Sequence, residues 1–203
     1  MDIAQAKELI MECGRRMWAR GMVAANDGNI SCRFGEGFLI TRSCVSKGFL
    51  CPSDILLVDG AGKVISPVTS GGRSPLDDDG KQGVPSMETF LHLAIYGDDP
   101  AVGAIVHSHA PYATAFAAAK KDINGYRLED LRLQIGPVAL APYAPAGSME
   151  LAKVTAEAVR GHKAALMTGH GVIVTGADMR EAYYRMEALE QAAKIIILSE
   201  GLK

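Results

Sequence analysis

GAIVHSHAPYATAFA, residues 103–117, is the stretch whose reading decides the fold. GAIVHSH predicts a strand, and Pro111 opens a short helix through PYATAFAAA, where a proline's missing N–H is no loss in the first turn. On a strand, residues i and i+2 share a face, so His107 and His109 leave the sheet together. Two adjacent imidazoles repel when both are protonated. A pair kept neutral around a shared metal ion avoids that repulsion. Two unrelated histidines at a strand end are the other reading of the same spacing.

Working outward, strands and helices mix without strict alternation. Residues 2 to 20 predict a helix, with Asp2 as its cap, Ile3, Ala6, Ile10, Cys13 and Met17 at helical spacing, and Gly21 at its end. NISCRF and FLIT shift to a period of two around a Gly-Glu-Gly turn, a hairpin pattern, and ILLVD–GAG–KVIS predicts a second hairpin. Thr69 to Pro85, with four glycines and three consecutive aspartates, reads as a long loop of the kind that is often functional. Ser86 is placed to cap a helix through METFLHLAIY. A strand follows around QIGPVALAPY, then a helix from about Ser148 to Arg160. AALMTGHGVIVTG predicts two short strands meeting at Gly169-His170-Gly171, and Asp178 with Glu181 forms a capping-box signature for a last helix to about Ser199. The expected fold class is α/β (α+β): one domain over 1–203, with a largely antiparallel central sheet and helices on both faces.

Composition narrows the function. The chain has 203 residues, of which 48% are hydrophobic and 22% charged, with a net charge of −2. That is enough to bury a core, and it excludes disorder for most of the length. Lys and Arg form no stripe, so no nucleic-acid partner is expected. Aliphatic runs such as Ile195–Leu198 are four residues long, far too short to span a bilayer, and the N-terminus lacks the apolar core of a signal peptide. A cytoplasmic location without membrane contact is the expectation. Cys13, Cys32, Cys44 and Cys51 make no CxxC pair and read as free thiols, Cys13 and Cys32 as small buried hydrophobes.

The remaining chemistry sits in few residues. His170, with glycine on both sides, belongs to a tight turn and by itself reads equally as structural. Glu88 and His92 stand four apart on one helical face. Glu88 reads either as a charge favoured by the helix dipole or as a proton-transfer group. His92, beside Leu91 and Ile95, reads as packing or support rather than as a ligand, and His162 as a surface-loop residue. Three neutral imidazoles would leave a metal with an open coordination position, which marks catalytic rather than structural zinc sites. No GxSxG elbow, phosphate loop or dinucleotide fingerprint competes.

With these residues in view, the chain resembles the class II aldolase/adducin head family from about Ala4 to Ser199. The resemblance rests on ANDGNIS (25–31), FLITRSCVSKG (38–48), PSMETFLHLAIY (85–96), GAIVHSHAPYATAFA (103–117) and GHGVIVTGADMREAYYRMEALEQAAK (169–194). It implies that His107, His109 and His170 are zinc ligands, with Mn²⁺ or Co²⁺ as other divalent occupants. Glu88 matches the acid/base residue, which can also touch the metal when substrate is absent. The implied reaction is retro-aldol cleavage of a ketose or ketose 1-phosphate through an enediolate, in a cytoplasmic homotetramer. Asn29, Ser43, Cys44 and Ser86 match the substrate-binding positions.

The chain departs from the family's phosphate-handling pattern at two places. Cys44 stands where a glycine is common, and Met87 where a second serine is. It ends at Lys203, where several relatives continue into a tail with a catalytic tyrosine. TRSCVSKG and ETFLH also resemble methylthioribulose-1-phosphate dehydratases, the alternative enzyme. Decarboxylases and 4-epimerases use the same metal platform, although pentulose-phosphate epimerases commonly have aspartate at the Glu88 position. Adducin-type heads, a non-catalytic association class, lack the full histidine set.

Overall fold

The computed structural model describes residues 1–65 and 83–202. The hairpin β1 (Asn29–Phe34) and β2 (Gly37–Thr41) forms as expected, with Phe34 opposite Gly37. β3 (Ile55–Val58) pairs with β2. After β3 the chain turns back, the Asp59 carboxylate taking the N–H groups of Ala61 and Lys63, and within the described residues Val64 bridges Val58 and Ile65 N–H reaches Leu57 O at 2.8 Å. β4 (Ala104–Ser108), β5 (Val138–Ala141), β6 (Ala164–Met167) and β7 (Gly171–Gly176) complete one sheet in the order β3-β2-β1-β4-β7-β6-β5. Every pairing is antiparallel except β5 with β6.

Alternation along the strands divides the core in two. Val106, Val172 and Ile30 point to the face covered by α1 (Ile3–Ala19), α3 (Pro111–Ala119) and α6 (Met179–Glu200), where Ile10, Met17 and Leu189 bury. Ile105 and Ile173 point to the other face, under α2 (Thr89–Asp98) and α5 (Met149–Val159), against Leu91, Ile95 and Leu151. The expected α/β (α+β) architecture, with a mostly antiparallel sheet between helical layers, is the observed one.

Local signals act as the sequence suggests at most helix ends. Asp2 and Gln5 form a full capping box on α1, and Ser148 accepts from the Leu151 N–H at the start of α5. Asp178 accepts from Glu181 N–H at 2.8 Å, while the Glu181 carboxylate reaches the N–H of Ala177 at 2.6 Å. Two elements differ. α4 (Glu129–Ile135) was not expected: it is one short segment with no side-chain cap, and it buries only Ile135. α2 starts at Thr89, later than a Ser86 cap would put it. Ser86 donates its N–H to Thr41 O at 3.2 Å, and Pro85 bridges Arg42, so residues 85–86 stay extended beside β2. Glu88 therefore takes the N-cap position, and its carboxylate makes no capping hydrogen bond. The loop expected over 69–85 falls outside the described residues except for its last three positions.

Candidate metal centre and catalytic site

The sheet register builds the site. Asn29 at the start of β1 lies directly opposite His107 on β4, and His107 lies opposite Ile173 on β7. His109 falls just past the end of β4, and His170 sits in the tight turn between β6 and β7. Gly171 makes this approach possible: a Cβ there would stand 2.6 Å from Ser108 O and 2.7 Å from the His109 ring. The three imidazole rings meet with centroids 4.9–5.2 Å apart. Glu88, at the mouth of α2, turns its carboxylate into them, Oε1 2.8 Å from His170 Nε2 and Oε2 3.2 Å from His107 Nε2.

The donor set fits a divalent cation. His107 Nδ1 donates to the Val172 carbonyl at 2.9 Å, which leaves its Nε2 a lone pair when the ring is neutral. That lone pair faces a carboxylate oxygen and, at 3.1 Å, the Nε2 of His170. His109 turns Nδ1 toward the Asp27 carboxylate at 3.4 Å, and its buried Nε2 has no hydrogen-bond partner. Lone pairs converging without enough hydrogens between them are costly in a buried site, and a cation relieves that cost. Imidazoles whose second nitrogen donates to a carbonyl or carboxylate are also the usual arrangement of metal-bound histidines. His107, His109 and His170 are the one group of metal-ligating type found among the described residues, each offering a ligand atom within 4.8 Å of the others.

Burial sets the protonation states. It pushes His107 down to about 4 and His92 down to about 3, so both rings are neutral near pH 7. Burial also lowers His109, against the opposing pull of Asp27. For Glu88 burial alone would raise the carboxyl, but the adjoining His107 and the hydrogen bonds from His170 and Asn29 outweigh it and hold the group well below its ordinary range. The carboxylate is ionised and hydrogen-bonded.

All eight residues singled out in the sequence (Asn29, Ser43, Cys44, Ser86, Glu88, His107, His109 and His170) line one cavity of about 280 Å³. A larger groove of about 770 Å³ runs along α4 and α6, but it contains no histidine. Ser43 and Ser86 are buried at the cavity wall, the Ser86 hydroxyl accepting from Glu88 N–H at 3.3 Å. Cys44 has φ 55°, the left-handed region in which glycine is favoured. Met87 is exposed, and His162 lies on the surface. Arg42 is buried and paired to Asp54 at 2.6 Å. Lys47 is also buried, donating to the carbonyls of Val45 and Asn26. Sequence reading missed Asp27 and the links from Glu88 through Asn29 to His92. Both depend on which strand residues stand opposite one another, and no local pattern carries that.

The fold and site define a mostly antiparallel sheet scaffold that gathers three histidines able to hold a metal ion, with a carboxylate beside them. The chain belongs to the family described as Class II Aldolase and Adducin N-terminal domain, which it matches over residues 8–197. It is 32% identical to an L-fuculose phosphate aldolase of Methanococcus maripaludis, covering 97% of this chain and 98% of that protein. It is 36% identical to a methylthioribulose-1-phosphate dehydratase of Granulibacter bethesdensis, covering 89% and 86%. Among solved structures it is similar to an L-fuculose 1-phosphate aldolase, with a TM-score of 0.84 and 26% identity over 98% of this chain and 87% of that one. No helix among the described residues is long and apolar enough to cross a membrane.

Proposed function

We propose that the protein is a divalent-metal-dependent lyase that cleaves a ketose 1-phosphate or ketose by retro-aldol chemistry. The observation that carries this reading is the convergence of His107 Nε2, His170 Nε2 and the unpartnered His109 Nε2 beside an ionised carboxylate. Those three imidazoles hold the ion, zinc in the first instance and Mn²⁺ or Co²⁺ as alternatives. When bound, it supplies a Lewis acid that polarises a carbonyl and stabilises charge on the carbon beside it. Glu88 holds the proton: its Oε atoms take one from the carbon acid in the condensation direction and return it after cleavage. Asn29 orients that carboxylate through its Nδ2 donor at 2.7 Å. Ser43 and Ser86 offer hydroxyls on the cavity wall toward the substrate's anionic end, and Cys44 restricts how closely the backbone approaches it. The working unit is a single domain over 1–203 in a cytoplasmic homotetramer.

Dehydration of a thioribulose-type phosphate is the second reading, supported by the dehydratase relative and by the TRSCVSKG and ETFLH segments. A product screen separates the two. Metal-loaded protein is offered L-fuculose 1-phosphate, methylthioribulose 1-phosphate and the unphosphorylated ketoses. Appearance of an aldehyde and a three-carbon phosphate supports aldol cleavage. Loss of water without chain cleavage supports the dehydratase. Glu88→Gln is expected to retain metal and lose about 10²–10⁴ in kcat; near-normal turnover in that variant removes Glu88 from the reaction.

A further inference from the structure

A continuous line of buried polar groups leads away from Glu88. Asn29 Nδ2 donates to Glu88 Oε2 at 2.7 Å, and Asn29 Oδ1 lies 2.5 Å from His92 Nε2. His92 Nδ1 lies 2.6 Å from Ser31 Oγ, which lies 2.8 Å from the Tyr96 hydroxyl. All five side chains are buried. The line arises from a match of pitch. Glu88, His92 and Tyr96 follow one another every four residues into and along α2, about 6 Å per step at 1.5 Å per residue. Asn29 and Ser31 are two apart on β1, about 6.6–6.8 Å. Helix and strand therefore interleave their side chains in one row.

Each hydrogen in that row has only one place to go. An ionised Glu88 only accepts, so Asn29 must turn its NH₂ toward it and its Oδ1 toward His92. Oδ1 then requires a hydrogen on His92 Nε2. A neutral imidazole carries one hydrogen, so His92 Nδ1 is an acceptor and the Ser31 hydroxyl must donate to it. With that hydrogen committed, Ser31 accepts from the Tyr96 phenol. Reversing any one link leaves a buried donor facing a donor or an acceptor facing an acceptor.

We propose that His92, fixed as the Nε2–H tautomer by Ser31 and Tyr96, is a positioning residue that locks the Asn29 amide and through it the orientation of the Glu88 carboxylate. The inference rests on Glu88 being the proton-transfer group. The His92 side chain does not line the cavity, and its hydrogen bonds go to Asn29 and Ser31, so its hydrogen-bonded route to the Glu88 carboxylate runs through Asn29.

The test compares three variants with the parent enzyme, metal-loaded and acting on L-fuculose 1-phosphate, and reads tautomers by ¹⁵N NMR of the metal-free protein. His92→Leu removes the donor to Asn29 and is expected to lower kcat about 10- to 100-fold, with bound metal and KM little changed. His92→Gln keeps an N–H aimed at Asn29 Oδ1 and is expected to recover most of that loss, even if its thermal midpoint is as low as that of the leucine variant. In a Glu88→Gln background, His92→Leu should have no further effect on kcat. The parent spectrum should show His92 protonated at Nε2 alone. Equal kcat losses in the leucine and glutamine variants, tracking their stability, would reduce His92 to core packing and overturn the inference, as would an Nδ1–H tautomer if the leucine variant fails to fold. Inactive Glu88→Gln with normal His92→Leu overturns the positioning role alone. Active Glu88→Gln overturns the acid/base reading and this inference with it.

Discussion

Two buried polar clusters face the same cavity, and they differ in how their hydrogens are matched. At Arg42 and Asp54, donors meet acceptors. Arg42 Nε gives to Asp54 Oδ1, Arg42 Nη1 gives to Ser43 O at 2.9 Å, and Asp54 Oδ2 receives both the N–H and the thiol of Cys51 at 3.0 Å. At Glu88 and the histidines, acceptors meet acceptors: a neutral Nε2 of His107 faces a carboxylate, and the His109 Nε2 has no partner. The first cluster sets donors against acceptors at the turn after β2. The second is left short of positive charge, and that shortage is the physical sign of a binding site. Buried charge alone therefore does not mark function; an unmatched hydrogen-bond inventory does.

The largest expected effect breaks the second cluster outright. His107→Ala removes the nitrogen whose tautomer Val172 fixes. Bound divalent metal, measured after dialysis by elemental analysis, should fall from about one ion per chain to near none, and turnover with it. The far-ultraviolet circular dichroism should remain that of the parent, because the two apolar cores do not depend on the ion. Full metal retention by His107→Ala would refute the assignment of that ring.

The matched cluster should answer the same treatment in stability instead. Arg42 and Asp54 are almost completely excluded from solvent. Removing one partner, as in Arg42→Met, leaves a buried charge without its mate and is expected to cost about 3–5 kcal/mol in denaturant unfolding. The double change Arg42→Met with Asp54→Leu should recover much of that loss, since no lone charge remains. A single variant as stable as the parent would show that the pair contributes no net stability.

Acid should separate the clusters next. His92 and His107 are held at about 3 and about 4 in the folded chain, below their ordinary 6.5. Between those values the unfolded chain binds protons that the folded chain refuses, so stability rises with pH there and is lost as pH falls from about 6.5. Metal-free protein is expected to lose on the order of 1–2 kcal/mol per ring between pH 7 and pH 5. The Arg42–Asp54 cluster contributes nothing over that window: Asp54 is lowered from an ordinary 3.8, and its contribution is lost only at more acidic pH. Chemical denaturation at the two pH values, repeated with His92→Gln, checks this. A flat profile in the parent would contradict the neutral-ring assignment.

These contrasts also explain what was legible in the sequence. Asp2, Ser148 and Asp178 announced their helices because a cap is a local event, fixed by residues three apart. The HxH spacing and the glycine-flanked His170 drew attention to the ligand set for the same reason. Glu88 stands at the helix start rather than inside its first turn, because Ser86 pairs with Thr41 of β2, forty-five residues earlier in the chain. Asp27 behind His109 and the Asn29–His92 contact were invisible, since each depends on the register of β1 against β4 or on α2 lying along β1. α4 escaped notice because a seven-residue helix with one buried side chain leaves almost no periodic signal.

The smallest effect concerns the place where the two clusters adjoin, at Ser43 and Cys44. Cys44 holds φ 55° with a side chain that pays for that conformation, roughly 1–2 kcal/mol in the left-handed region. Glycine removes that strain but orders a more flexible residue, which costs about 0.5–1 kcal/mol. Cys44→Gly is thus expected to stabilise the fold by no more than about 1.5 kcal/mol. Its effect on substrate choice should be easier to see. Without the Cβ and thiol, the backbone N–H groups beside Ser43 can approach an anion closely, and a phosphate dianion gains from each charge-assisted donor. The ratio of kcat/KM for a ketose 1-phosphate over the matching free ketose should rise in Cys44→Gly. It should fall in Ser43→Ala, which removes a hydroxyl from the same wall. A ratio unchanged by both substitutions would place the anionic end of the substrate away from this turn, while leaving the histidine and glutamate cluster untouched.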